Sequence, residues 1–458
     1  MIKRILSLVL VCFTILSATG AAKKPAKSKT VKADKAFNAA QYYTASALYK
    51  KAYAKLKKKE DKATAAFKAG ECARMMNNNA EAEDFYSKAV AAKYKDPIVL
   101  LRYADALKAN GKYAEAIVQY NAYKAANPSD PKGDTGVKAS EQAQAWKDKP
   151  TRHRVDNLSA INSKYYDFAV AENPAVKNSI VFTSSREEAV GTKNDNWYGE
   201  KYYDLFSATM DNNGKWSTPS SFTTVINTEN SDGAATFSAD GKTMYYTTCP
   251  HAKDKNTFCQ VMKSTMTDGK WSEGVSLPFN SEQYTTGQPS LSADGKILYF
   301  ASDMPGSVGG KDIWMSNWDD ASSSWGTPSN PGAGINTEGD ELFPYAGRAG
   351  KLYYSSNGKP GMGGLDIFSS SYENGVWSEA TNLKSPMNSP GDDFGLFFTS
   401  ETNGYLSSNR EGGKGADDIY SFIIPPLNLA VAGKVYDTDT KEPIEGALVE
   451  LFGSDGTS

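Results

Sequence analysis

Ile297-Leu-Tyr-Phe-Ala-Ser302, followed past a turn by Asp312-Ile-Trp, is one of five copies of a single pattern. The others begin Ile180-Val-Phe-Thr-Ser-Ser185, Met244-Tyr-Tyr-Thr-Thr248, Leu352-Tyr-Tyr-Ser-Ser356 and Gly404-Tyr-Leu-Ser-Ser408. Their second halves are Asp204-Leu-Phe, Gln260-Val-Met, Asp366-Ile-Phe and Asp418-Ile-Tyr. From Phe182 the steps to Tyr246, Phe300, Tyr354 and Leu406 are 64, 54, 54 and 52 residues. Short apolar strands repeating near this period predict the blades of a β-propeller, because one such unit cannot bury its own face and must stack on the next.

The pattern also predicts how the ring closes. Four copies continue into a Trp strand, at Trp216, Trp271, Trp325 and Trp377, and then into a stretch like Ala380-Thr-Asn-Leu-Lys-Ser-Pro-Met-Asn388. The fifth stops at Pro425-Pro426, while an orphan stretch, Val155-Asp-Asn-Leu-Ser-Ala-Ile-Asn162, precedes the first. The segment around Arg152–Leu158 is therefore expected to supply the outer strand of the last blade. That gives five blades over 151–425 and removes an unpaired sheet edge.

Upstream the period changes. From 34 to 148 Ala, Tyr and Leu recur at helical spacing. Ala45…Tyr49, Ala82…Tyr86 and Ala116…Tyr120 align at separations of 37 and 34 residues. Helix pairs at this period resemble tetratricopeptide repeats. Residues 1–22 read as an export signal, with Lys3 and Arg4 before a short apolar core. Val11 is too bulky for lipid attachment at Cys12. Residues 23–33, rich in Lys, Ala, Pro and Ser, are expected to be a disordered linker. Beyond the propeller, 427–458 alternates as two strands and resembles the start of a carboxypeptidase-regulatory-like β-sandwich, cut short. The expected fold class is thus multidomain, α plus all-β: helical arm, five-bladed propeller, incipient sandwich.

Charge is uneven although the net is −2. Residues 23–150 carry 26 Lys and Arg against 14 Asp and Glu, and 151–458 carry 23 against 39. A basic arm and an acidic body can attract each other or steer partners. An exported protein of this kind is not expected to bind nucleic acid, and no stretch past the signal could span a membrane.

Little points to chemistry. There are two histidines, His153 and His251, and no hydrolase or zinc motif. Cys249 and Cys259 flank one loop in the second blade and are expected to form a disulfide under oxidising conditions. Asp204, Asp312, Asp366 and Asp418 each open a strand after a turn. One carboxylate per blade predicts a structural cap on that turn rather than a calcium loop. Arg186, Arg348 and Arg410 suggest a sialidase-like triad, but no paired Tyr and Glu accompany them. No catalytic residue, metal or cofactor is assigned, and the chain is expected not to be an enzyme. The blade-one insertion Glu187–Tyr202 carries Trp197 and Tyr198, a candidate docking loop for a partner.

The blade consensus, best carried by Asp240-Gly-Lys, Asp294-Gly-Lys and Gly309-Gly-Lys-Asp-Ile313, resembles PD40 (TolB-type, WD40-like) repeats. The order of arm, PD40 propeller and regulatory-like segment resembles the PorE-type periplasmic proteins of the type IX secretion system. The resemblance implies a periplasmic scaffold at the outer membrane that links secretion components through the arm groove and propeller face. It also implies peptidoglycan anchoring through an OmpA-like domain that this chain lacks. The competing expectation is a glycan-binding or glycoside-acting propeller.

Overall fold

A computed structural model describes residues 29–251, 258–426 and 432–450. The expected signal and most of the linker lie outside these residues. Seven helices come first: α1 (Val31–Asn38), α2 (Tyr42–Lys55), α3 (Lys59–Met75), α4 (Asn79–Ala91), α5 (Ile98–Ala109), α6 (Tyr113–Ala126) and α7 (Lys132–Asp148). Helix therefore begins at Val31, inside the stretch expected to be disordered. Ala33 and Ala36 bury against α2, which holds that first turn in place.

Each helix packs on the next, and the tyrosine repeat explains why. The hydroxyls of Tyr49, Tyr86 and Tyr120 donate to Asp34 (2.7 Å), Glu71 (2.5 Å) and Asp105 (2.7 Å), each 15 residues upstream. Every pair thus ties the second helix of a hairpin to the first. The rings fill the space left by small residues: a Cβ on Gly70 would lie 2.7 Å from Tyr86, and one on Gly136 would lie 2.4 Å from Tyr120. A buried phenol needs a partner for its hydroxyl, and the carboxylate supplies it.

Five antiparallel sheets follow, arranged as the blades of a propeller. Their innermost strands are Asp167–Glu172, Ser231–Phe237, Thr286–Leu291, Glu341–Ala346 and Asp393–Phe398. The fifth sheet takes its outer strand from the start of the ring: Arg154–Asn157 pairs with Asp418–Ile423 in the register Arg154↔Ile423 to Asn157↔Tyr420.

The small polar pair that marks each repeat sits on the second strand of its blade. Its second member faces the residue that opens the inner strand, as in Ser184↔Asp167 and Ser356↔Glu341. Both serines donate to those carboxylates at 2.6 Å. Its first member bonds the neighbouring blade. Thr183 and Thr247 accept from the backbone N–H of Ala234 and Gln288 in the blade after, and Ser407 accepts from Ala169 across the ring closure.

Those N–H groups belong to a bulge repeated in every inner strand. Ala169, Ala234, Gln288, Phe343 and Gly395 all lie in the left-handed region, at φ 53, 45, 55, 50 and 58°. Four of the five are not glycine, so surrounding bonds must hold the conformation. A second recurring clamp is an asparagine. Asn162, Asn227, Asn280, Asn336 and Asn388 each bind both backbone groups of one residue in a third strand: Ile419, Leu205, Val261, Ile313 and Ile367.

Within residues 432–450 the expected sandwich strands are not seen. Among residues 432–450 only an isolated bridge joins Tyr436 to Pro443, and Leu448 and Val449 are 86% and 71% exposed. The rest of the two expected strands lies outside the described residues. Among the described residues no second layer covers the apolar face of this segment.

Candidate functional site

The arm lies against the propeller face where the inner strands begin. The blade-one insertion makes the contact. Asp195 accepts from the backbone N–H of Trp197 (2.5 Å) and Tyr198 (3.2 Å), folding the loop into a rigid turn. Trp197 then donates its indole N–H to the carbonyl of Met75 at the end of α3 (2.5 Å) and meets the ring of Tyr42 edge-on, centroids 4.7 Å apart. Gly199 lies under Tyr43 so closely that a Cβ would come within 2.6 Å of its ring. Farther along, Met362 of the fourth blade is buried with Tyr113 and Ala143. Thr151 donates its N–H to Ser385 O (2.7 Å). The loop expected to meet a partner thus meets the arm of its own chain.

Between these contacts a cleft of about 1340 Å³ remains. Its arm wall comes from α2, the Met76–Asn79 turn, α4 and the turn at Asn110, and carries Lys50, Glu81, Glu83 and Lys112. Its propeller wall carries Tyr166, Tyr198, Asn409, Arg410 and Asp417. Below it the ring axis is filled by aromatics. Tyr166 packs on Tyr198 and Tyr203, Tyr203 on Phe168, and Phe168 on Phe343 and Phe394, with centroids 5.2 to 6.2 Å apart. The cleft is therefore closed at its base, not continuous with an open channel.

Carboxylates set its electrostatics. Burial pushes Asp417 up to about 8, and the charges of Asp392, Asp418 and Asp167 add to the effect. Asp392 is also raised, by burial first and then by Asp393, although Leu365 N and Asn409 donate to it. Asp366, behind the same face, is raised to about 7 by burial. A carboxyl that keeps its proton at neutral pH can donate it, or can hold a cationic group once ionised. Asp417 has no sequence signal of its own: it merely precedes the strand-opening Asp418.

The arginines do not converge. Arg186 and Arg410 turn inward and pair with Asp167 and Asp393 at 2.5 Å. Arg348 lies on the opposite face, 3.4 Å from Glu401, beside a separate funnel of about 460 Å³ lined by Phe343, Tyr345, Phe397 and Phe398. The strand-opening aspartates accept backbone N–H groups of the turns before them: Val190 for Asp204, Val308 and Gly309 for Asp312, Met362 and Gly363 for Asp366, Lys414 and Gly415 for Asp418. Cys249 and Cys259 are joined in a disulfide. Among the described residues no three His, Cys, Asp or Glu gather as a metal site, and no helix is long and apolar enough to cross a membrane.

No protein-family model and no curated protein matches the chain. Solved structures similar to it include an α-L-arabinofuranosidase from Lactobacillus brevis, at 11% identity over 64% of this chain and 98% of that one, TM-score 0.36. They include a mutant of the GH43 protein BlXynB from Bacillus licheniformis, at 12% over 58% and 53%, TM-score 0.35. A puromycin-hydrolysing peptidase from Mycobacterium tuberculosis matches at 12% over 62% and 47%, TM-score 0.34. The chain spans about half the length of the last two. Likenesses this remote carry no correspondence between residues. Hydrolases and peptidases are among these similar structures, against the expectation that the chain is not an enzyme, and likenesses this remote decide nothing about its own activity.

Proposed function

We propose that the chain is an exported binding platform whose ligand centre is the cleft between arm and propeller. The observation that carries this reading is the lock formed by Trp197 on Met75 and Tyr42, which fixes two modules as walls of one site. A preorganised cleft avoids the ordering cost that a swinging arm would pay on each encounter. The helix hairpins, tied by their tyrosines, fit a tetratricopeptide-type arm that grips an extended protein segment. On the resemblance to PorE-type proteins, the partners would be components of a type IX secretion machine at the periplasmic side of the outer membrane, with peptidoglycan as a further partner implied by the family. A photo-crosslinker at Asn79, in the cleft, should capture an envelope secretion protein, whereas one at Arg348 on the far face should not. Equal labelling from both positions, or none, refutes the protein-partner reading.

A second reading has its own support. Asp417 and Asp392, held toward the protonated state beside Tyr166, Tyr198 and Asn409, form the kind of surface that binds sugars and can protonate a glycosidic oxygen. On this reading the cleft binds or cleaves a glycan. Glycan-array binding or glycoside turnover that Asp417→Asn abolishes would establish it. Inertness on both assays removes it.

A further inference from the structure

At four of the five junctions between blades, the residue opening a third strand and the one opening the next inner strand are fully provided for. Asp418 receives the amide of Asn157, while Arg186 and Ser184 bind Asp167. Asp366 lies near the amide of Asn382 (3.5 Å), while Arg410 binds Asp393. Asp312 receives Asn330, and Glu341 takes bonds from Thr337 and Ser356. The junction of the second and third blades has Gln260 and Thr286 and no charge.

The junction of the first and second blades breaks the pattern on both sides. Ser221 stands where the third, fourth and fifth blades place the asparagine, and it bonds Asn227 instead of Asp204. Pro250 stands where the first and fifth blades place Arg186 and Arg410. The two acids here, Asp204 and Asp232, are each 1% exposed. Their backbones meet through Asp232 N donating to Tyr203 O at 2.7 Å. Oδ1 of each lacks a well-aligned hydrogen bond, although the Thr248 hydroxyl lies close enough to Asp232 to favour its charged form. The other oxygens are used, Asp204 by Val190 N and Asp232 by Thr228. The flanking loops, the blade-one insertion and the disulfide-closed loop, meet through Tyr202 and His251 at 2.5 Å.

Two buried carboxylates with an unpartnered oxygen and no ion-pair partner among the described residues favour a compensating charge, since Lys201 acts on Asp204 only from a distance, its ammonium held by the carbonyls of Glu187 and Ala189. We propose that a calcium ion is held at this junction, between Asp204 and Asp232, in the place the arginine occupies elsewhere in the ring. Calcium is a hard cation that takes carboxylate, hydroxyl, carbonyl and water oxygens in irregular geometry. Thr248, beside Asp232 on the adjoining strand, offers a hydroxyl.

The test uses the whole chain, chelated and then titrated with calcium at pH 7.5 while thermal unfolding is followed. Calcium should raise the midpoint by several degrees with saturation, as a ligand of the folded state alone must. Asp232→Asn should remove that shift. Pro250→Arg, which supplies the guanidinium found in the first and fifth blades, should be stable without calcium and unresponsive to it. A midpoint that neither chelator nor calcium moves overturns the proposal. So does a calcium shift that persists unchanged in both variants.

Discussion

The side-chain amide of Asn162 holds both backbone groups of Ile419, donating to its carbonyl and accepting from its N–H, each at 2.9 Å, across 257 residues of chain. The same grip recurs in every blade, but only this one joins the two ends of the ring. Asn162→Ala leaves the buried N–H of Ile419 without a partner, while its carbonyl keeps the N–H of Leu158 (3.0 Å), which costs about 1–3 kcal/mol. Chemical denaturation should show that loss. Asn280→Ala should cost a similar amount while leaving the ring ends joined. Limited proteolysis should therefore cut the first variant near Arg154–Asn157 and spare the second.

Trp197→Ala removes a hydrogen bond and an aromatic contact from the arm interface while leaving every blade intact. The expected cost is about 2 kcal/mol. The arm should detach more readily than the propeller unfolds, so small-angle scattering should report an expanded particle with unchanged strand content. An unchanged radius of gyration would count against the lock.

The pH dependence of Asp417 has a definite sign. Its folded value, about 8, lies above the ordinary 3.8. The contribution is therefore fully present below the unfolded value and is lost as pH rises through about 8. Relative to wild type, Asp417→Asn should gain stability between pH 5 and pH 9. Paired denaturant titrations at those two values measure this.

Reducing the Cys249–Cys259 bridge reopens a loop with a sequence separation of 10. Chain entropy puts the loss at about 2–3 kcal/mol. Unfolding with and without reductant should differ by that amount in wild type and not at all in Cys249→Ser/Cys259→Ser.

The ring was legible because one strand pattern recurs five times at steps of 52 to 64 residues, and its closure because one copy lacks an outer strand that appears before the first. The small polar pair was visible as a marker, but its task was not. Thr183 and Thr247 act on the next blade, so their partners lie 51 and 41 residues away. The lock of Trp197 on Tyr42 leaves no trace in sequence either: it joins an insertion without a counterpart to a helix of different period. Asp417 was hidden because its character comes from burial against Asp392 rather than from a motif. Residues 432–450 show only the Tyr436–Pro443 bridge, because alternation gives a paired strand only where a second layer covers it.

The pairing of Arg154 with Ile423 has a mechanical consequence. The arm joins the ring just before one residue of that pair, and the tail leaves just after the other. Tension between arm and tail would reach the closing strands at the same end. It would peel them open one cross-strand pair at a time, instead of shearing all four together. A platform strung between two anchors would then yield first at its seam, after the Trp197 contact lets go, with Asn162 as the final catch before the ring opens.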